Sequence, residues 1–227
     1  METIKLFKPV TAVLTAAVML FSSATVQDKQ TDKVQDATAV VRDFGKMQES
    51  IPQQLLEVTQ GIIIIPKMIN AGLVVGGKRG KGVAMVKDAD GKWSNPAFVT
   101  LTGGSFGLQA GVQSVDLVLI FKKRATLNNI GKGSFTLGGD ISVAAGPVGR
   151  SSTANTDYKL EAEVYSYSRS RGLFAGISLN GASLSVDEKA NKAFYDNDNS
   201  AKEIFISSKT TSASVTDLKA ALSALYK

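Results

Sequence analysis

YSYSRSRGLFAGISLNG, Tyr165 to Gly181, is the densest part of a glycine-studded tract, Gly61 to Gly181, that reads as β-strand rather than helix. Just upstream, Lys159 to Ser168 alternates cleanly: Leu160, Ala162 and Val164 share one face, and Lys159, Glu161 and Glu163 the other. A period of two with one polar face predicts a half-exposed antiparallel strand, with both glutamates in solvent. Downstream, Leu173–Leu179 and Ala182–Val186 read as strands, and Asn180-Gly181 as the hairpin turn between them.

Further out the same grammar repeats. Val115–Phe121, VDLVLIF, is the most apolar strand, with Asp116 its odd member; Phe135–Leu137 and Ile141–Ala145 are short strands after it. Asp90-Gly91 is a tight-turn signal that should pair Val83–Val86 with a strand near Trp93–Val99, Pro96 marking an edge or bulge. Ile62–Ile65 reads as a short buried strand closed by Pro66. Gly76-Gly-Lys-Arg-Gly-Lys-Gly82 lacks the G-x-x-x-x-G-K-[ST] spacing of a phosphate-binding loop and reads as a hairpin turn between Leu73–Val75 and Val83–Val86. Thr100-Leu101 and Thr136-Leu137, each followed by a Gly pair, form a faint echo of repeated strand geometry.

Both ends read as helix. Val34, Ala37, Val41 and Phe44 fall at spacings of three and four, a thin stripe suited to packing on the domain or to lying on a bilayer. Ser50-Ile-Pro-Gln53 has the form of a capping box for a helix Ile51–Gln60 that Gly61 should end. Asp187 should cap a helix burying Ala190, Ala193 and Phe194, Asn199–Ile206 should be a short helical turn, and Thr216 should cap a last helix with Leu218, Leu222 and Leu225 on one face. The expected fold is α+β: a curled antiparallel β-sheet or small barrel flanked by N-terminal and C-terminal helices.

The 227 residues include no Cys and no His, so disulfides, thiolate or imidazole metal sites, Cys nucleophiles and His-based triads are excluded. Without the commonest general base, an enzyme is not expected, and neither a cofactor nor a metal. A hydrolase using Asp116 or Asp140 has no base partner, and Asp196-Asn-Asp198 lacks the later ligands of a calcium loop. The strands are shorter than those of an outer-membrane barrel.

Lys5 and Lys8, the apolar run Val10–Phe21 and Ser22-Ser23-Ala24 have the order of a secretory leader, and the run is shorter than the about 20 residues a membrane span needs. With no lipid-attachment cysteine, the expectation is an unanchored exported protein, not a lipoprotein, with the periplasm as its destination. The division is then leader 1–24, amphipathic helix 25–49, main domain 50–206, and linker with C-terminal helix 207–227. Removing Glu2, Lys5 and Lys8 from a chain of net charge +6 leaves +5, a mild bias toward acidic partners.

The cations that could meet such partners are Lys78, Arg79 and Lys81 in the glycine-rich stretch and Lys122, Lys123 and Arg124 after the VDLVLIF strand. Lys132, Arg150, Arg169 and Arg171 fall in or near other turns. Gathered on one rim, they would form a patch for anionic headgroups. Nucleic acid is not expected, because aromatic residues do not interleave with these clusters.

Gly103-Gly-Ser-Phe-Gly-Leu-Gln-Ala-Gly111, Gly146-Pro-Val-Gly-Arg150 and Tyr165–Gly176, together with Lys92-Trp-Ser-Asn-Pro96 and the capped helix at Ser50, resemble the SYLF domain family over roughly Ser50–Phe205. The resemblance implies phospholipid binding, phosphoinositide-preferring in eukaryotic members, some of which also bind actin; bacterial members are usually exported. The stripe of Asp28–Gln48 is shorter of large apolar residues than the membrane-inserting helix of the eukaryotic members, and actin binding is not expected of an exported protein. The expected function is non-enzymatic binding of anionic phospholipid through basic loops. The alternative is a structural or stress-related envelope protein that binds other proteins through exposed strand edges.

Overall fold

The run Ile62-Ile63-Ile64-Ile65 has no polar partner in its alternation, which in a strand means that both faces are buried. A computed structural model bears this out. It describes residues 8–47, 51–72, 75–106, 111–128, 130, 133–146, 161–170, 173–174, 177–207 and 212–226, with α1 side chains from residue 27 onward. The run lies in β1 (Gly61–Gly72), which pairs antiparallel with β2 (Val75–Val86) and β4 (Gly111–Phe121). The other strands are β3 (Ala97–Phe106), β5 (Phe135–Leu137), β6 (Val143–Ala145), β7 (Val164–Ser170), β8 (Leu173–Phe174) and β9 (Ala182–Val186). The order across the sheet is β5-β9-β3-β2-β1-β4-β7-β6, with β8 on β7 off this path. All pairs are antiparallel except β6 with β7. The sheet curls into a nearly closed barrel, with an isolated parallel bridge from Leu137 of β5 to Ile141, just before β6, near the gap between its ends.

One face of this sheet, with Ile63, Ile65, Ala84, Val86, Leu117, Leu119 and Phe121, fills the barrel interior. The other, with Ile62, Ile64, Val83, Met85, Phe98, Val118 and Ile120, packs under helices. Each fully buried isoleucine contributes about 2 kcal/mol of burial, which is why an antiparallel strand here reads as continuously apolar.

The covering helices are α1 (Lys8–Lys46), α2 (Gln53–Glu57), α4 (Glu188–Tyr195) and α6 (Ala213–Leu225). Val34, Ala37, Val41 and Phe44 of α1 are all buried on this layer, so the thin stripe packs on the domain. Inside the barrel, Leu127 of α3 (Arg124–Asn128) and Ile204 and Phe205 of α5 (Ala201–Ile206) complete the interior. Among the described residues no helix is long and apolar enough to cross a membrane.

Several local expectations hold. Asp90-Gly91 turns between β2 and β3 with Val83 opposite Phe98, and Asp187 accepts from the Ala190 N–H as N-cap of α4. The echoing Thr-Leu pairs turn out to flank a common partner: Leu101 in β3 lies beside Leu184 of β9, and Thr136 in β5 beside Ser183 of β9.

Others are corrected. Gly76–Gly82 is not a turn but part of β2, paired on both sides. β1 does not stop at Pro66; a bulge between Ile65 and Met68, with Lys67 at φ 50, carries the strand on. α2 starts after Pro52 without a side-chain cap, Ser50 lies outside the described residues, and Gly61 opens β1 rather than ending a helix. β7 starts at Val164 and Glu161–Glu163 precede it outside any strand, while Lys159 and Leu160 lie outside the described residues; the turn at Asn180-Gly181 leads into β9, which pairs with β3 and β5 rather than with β8. Ser212, not Thr216, stands at the start of α6.

Candidate functional site

The strand character of Gly76–Gly82 decides where its cations point, because neighbours on a strand face opposite ways. Lys78 turns toward the barrel interior, is only 5% exposed, and donates from Nζ to the Ser178 carbonyl. Burial lowers its pKa. A headgroup on the surface cannot reach it, so the expected ligand role of Lys78 is corrected.

Arg79 and Lys81 take the opposite face. They line a depression of about 350 Å³ shared with Thr100 of β3, Ser185 of β9, and Asp187, Glu188 and Lys189 at the start of α4. Lys81 Nζ lies 2.7 Å from Asp187 Oδ2, while Arg79 is exposed with no ion-pair partner among the described residues. Burial pushes the Asp187 carboxyl up, but hydrogen bonds from Lys81, the Ala190 N–H and Thr100 outweigh it and hold its pKa below the usual value. Lys33 of α1 stands close enough that burial, and then the charge of Lys81, lower its pKa, with Asp36 and Asp187 opposing. Four cations therefore surround this corner against the two carboxylates of Asp187 and Glu188, and of the four Lys81 is the one in direct ion-pair contact there.

The sign of the Asp187 shift sets a pH dependence. A depressed folded pKa stabilises the fold above the unfolded value of about 3.9, and that stability is lost as pH falls through the folded value. Asp187→Asn keeps a good cap residue. It is expected to unfold with a shallower loss of midpoint between neutral and strongly acidic pH than the parent, measured by thermal circular dichroism; identical slopes would refute the assignment.

The second basic group lies elsewhere. Lys122, Lys123 and Arg124 follow β4 where Phe121 sits opposite Gly61, whereas Arg79 sits opposite Ile69, well along β1 and beyond the bulge. Lys123 Nζ is 3.5 Å from Glu163 Oε1, which also accepts from Thr126 at 2.7 Å. Glu163 is thus a holding group for α3 rather than a solvated residue. Lys122 Nζ stands 5.9 Å from the Tyr165 ring centroid, and Arg124 Nε is buried.

Arg169 is not a surface ligand either. Its Nη2 bonds Asp43 Oδ2 of α1 at 2.8 Å and Asp116 Oδ2 of β4 at 2.7 Å. Burial opposes its charge, but the hydrogen bonds to Asp116 and Asp43 win and raise its pKa. Asp116, odd in its apolar strand, is explained by this pairing and by its Oδ1 accepting the Lys67 N–H at 3.0 Å.

Arg150, Arg171 and Lys132 lie outside the described residues. Among the described residues the expected single rim of cations is therefore corrected to one depression around Arg79 and Lys81 and a separate group at Lys122–Arg124. Sequence reasoning missed Lys189 and Lys33; the cap at Asp187, immediately after β9, was the available signal for Lys189. Among the described residues no group of three potential metal ligands occurs.

Residues 102–225 match the family model described as "Ysc84: Las17-binding protein actin regulator". The chain is 34% identical over 189 residues to SH3 domain-containing YSC84-like protein 1 of Bos taurus, covering 80% of this chain and 55% of that protein. It is 36% identical over 157 residues to LAS seventeen-binding protein 3 of Saccharomyces cerevisiae, covering 68% of this chain and 34% of that one. The chain thus spans about half the length of the animal relative or less of the yeast one. The match runs from β3 through α6 and so takes in β9, the capped start of α4 and the strands that close the barrel. By that match the chain belongs to the Ysc84, or SYLF domain, family.

Proposed function

We propose that this protein is a non-enzymatic, exported phospholipid-binding protein, periplasmic and peripheral on a membrane, that meets anionic headgroups at the depression around Arg79, Lys81 and Lys189. The observation that carries the reading is the unmatched charge there: Arg79 is exposed and lacks an ion-pair partner among the described residues, and Lys189 and Lys33 stand nearby. Each such cation near an anionic membrane contributes about 1 kcal/mol. The leader-like order of residues 1–24 supports export. The Las17 and actin of the relatives' names are not extended to this chain, and nucleic acid is not among its proposed partners.

Vesicle co-sedimentation at low salt tests it. The chain should bind vesicles containing phosphatidylglycerol more tightly than neutral phosphatidylcholine vesicles, and the double variant Arg79→Glu, Lys189→Glu should lose at least about tenfold of that affinity. Equal binding to both vesicle types, or an unchanged variant, would overturn the proposal.

The alternative of protein–protein contacts through strand edges finds less support. β5 and β6 are the end strands of the sheet and each is only three residues long, a short edge for an added strand.

A further inference from the structure

A second concavity lies between helices and shares no lining residue with the depression around Arg79. It is a groove of about 520 Å³ between the C-terminal half of α1, α2 and the last turns of α6. Val41, Ile51 and Leu56, all buried, form its base. Gly45 and Ala224 form its sides, and Arg42 and Lys46 stand exposed at its margin. No acidic residue lines it. Its size is within the ~300–1,000 Å³ of small-molecule sites.

Two features are costly for folding alone. Arg42 and Lys46 are four residues apart on one helix, an arrangement in which like charges repel. Neither has an ion-pair partner among the described residues. Gly45 is a poor helix residue, yet close packing does not demand it: an added Cβ would meet only Leu225 Cδ1, at an ordinary 3.6 Å. Glycine there keeps the groove open, and the paired cations give its mouth one sign of charge.

We infer that this groove binds a long-chain fatty carboxylate, its acyl chain along Gly45, Ala220, Ala224 and Leu225 above the floor of Val41, Ile51 and Leu56, and its carboxylate between Arg42 and Lys46. An apolar channel with a doubly cationic mouth suits a single-chain anionic amphiphile better than a neutral apolar molecule, because the carboxylate relieves the repulsion between the two cations. The site is independent of the headgroup surface and does not rest on it.

The test is titration of the full chain with cis-parinaric acid, whose fluorescence rises in an apolar site, alongside its methyl ester. The acid should bind saturably and at least tenfold more tightly than the ester. Gly45→Leu, which fills the groove, should abolish saturable binding of both while keeping the parent's circular dichroism and an unfolding midpoint at or above the parent's. Arg42→Glu with Lys46→Glu should weaken the acid at least tenfold and leave the ester unchanged. Arg79→Glu with Lys189→Glu should leave parinarate binding untouched, which separates this site from the proposed headgroup surface. Absence of saturable binding, or parent-like binding by Gly45→Leu, would overturn the groove; equal affinity for acid and ester would overturn the carboxylate assignment.

Discussion

Arg169→Leu is expected to lower the unfolding free energy by about 1.5–3 kcal/mol, because it leaves the partly buried Asp116 carboxylate without its charge partner. The side chains of Arg169 and Asp116 are only 16% and 19% exposed. The guanidinium joins three elements: Asp116 on β4, Asp43 on α1, and β7, on which it sits. Asp116 in turn holds the Lys67 N–H at the β1 bulge, where the backbone has φ 50. Arg169→Lys should recover little, since a single ammonium cannot reproduce the planar fork. Pairing Arg169→Leu with Asp116→Leu should restore part of the loss. Urea denaturation of the four proteins provides the measurement, and a cost below about 1 kcal/mol for Arg169→Leu would show the pair to be a surface ornament.

Gly82→Ala is expected to cost about 3 kcal/mol or more, an unusual result for one methyl group in a strand. A Cβ at Gly82 would lie 1.9 Å from the Ile64 carbonyl oxygen and 2.8 Å from Ile65 Cα, both backbone atoms that cannot rotate aside. The register explains the crowding. Ile64 pairs with Val83 and Ile69 with Arg79, so β1 carries one residue more than β2 across this interval and its backbone falls onto Gly82. Gly77→Ala is the control: its Cβ would meet only the Gly103 carbonyl at 3.8 Å, and the change should be neutral or stabilising by up to about 1 kcal/mol. If chemical denaturation found the two variants equally stable, the bulge would not be the reason for glycine at position 82.

These two residues also show where the sequence was readable and where it was not. Local signals with their own geometry were legible: the Asp90-Gly91 turn, the Asp187 cap, and the stripe Val34, Ala37, Val41 and Phe44. Each is decided by neighbours a few positions away. Arg169 read as a ligand because its partners, Asp43 and Asp116, lie 126 and 53 residues off and leave no mark beside it. Gly76–Gly82 read as a turn because glycine is the usual turn residue, whereas here Gly82 answers a close approach by another strand. The candidate site divided in the same way. Arg79 and Lys81 could be nominated from charge, but which of Lys78 and Arg79 faces solvent depends on strand phase, and a stretch read as a turn has none.

The closure of the barrel carries a consequence for the order in which it assembles. The β1–β2 and β2–β3 hairpins join stretches close in the chain, so they lose little chain entropy on forming. The β1–β4 pair (Gly61 opposite Phe121), the β4–β7 pair (Phe121 opposite Val164) and above all the β3–β9 pair (Val99 opposite Val186) close longer loops and form later. A nucleus in β1–β3 followed by late docking of β9 places the β3–β9 pairing at the end of the folding reaction. Weakening it should therefore quicken unfolding far more than it slows folding.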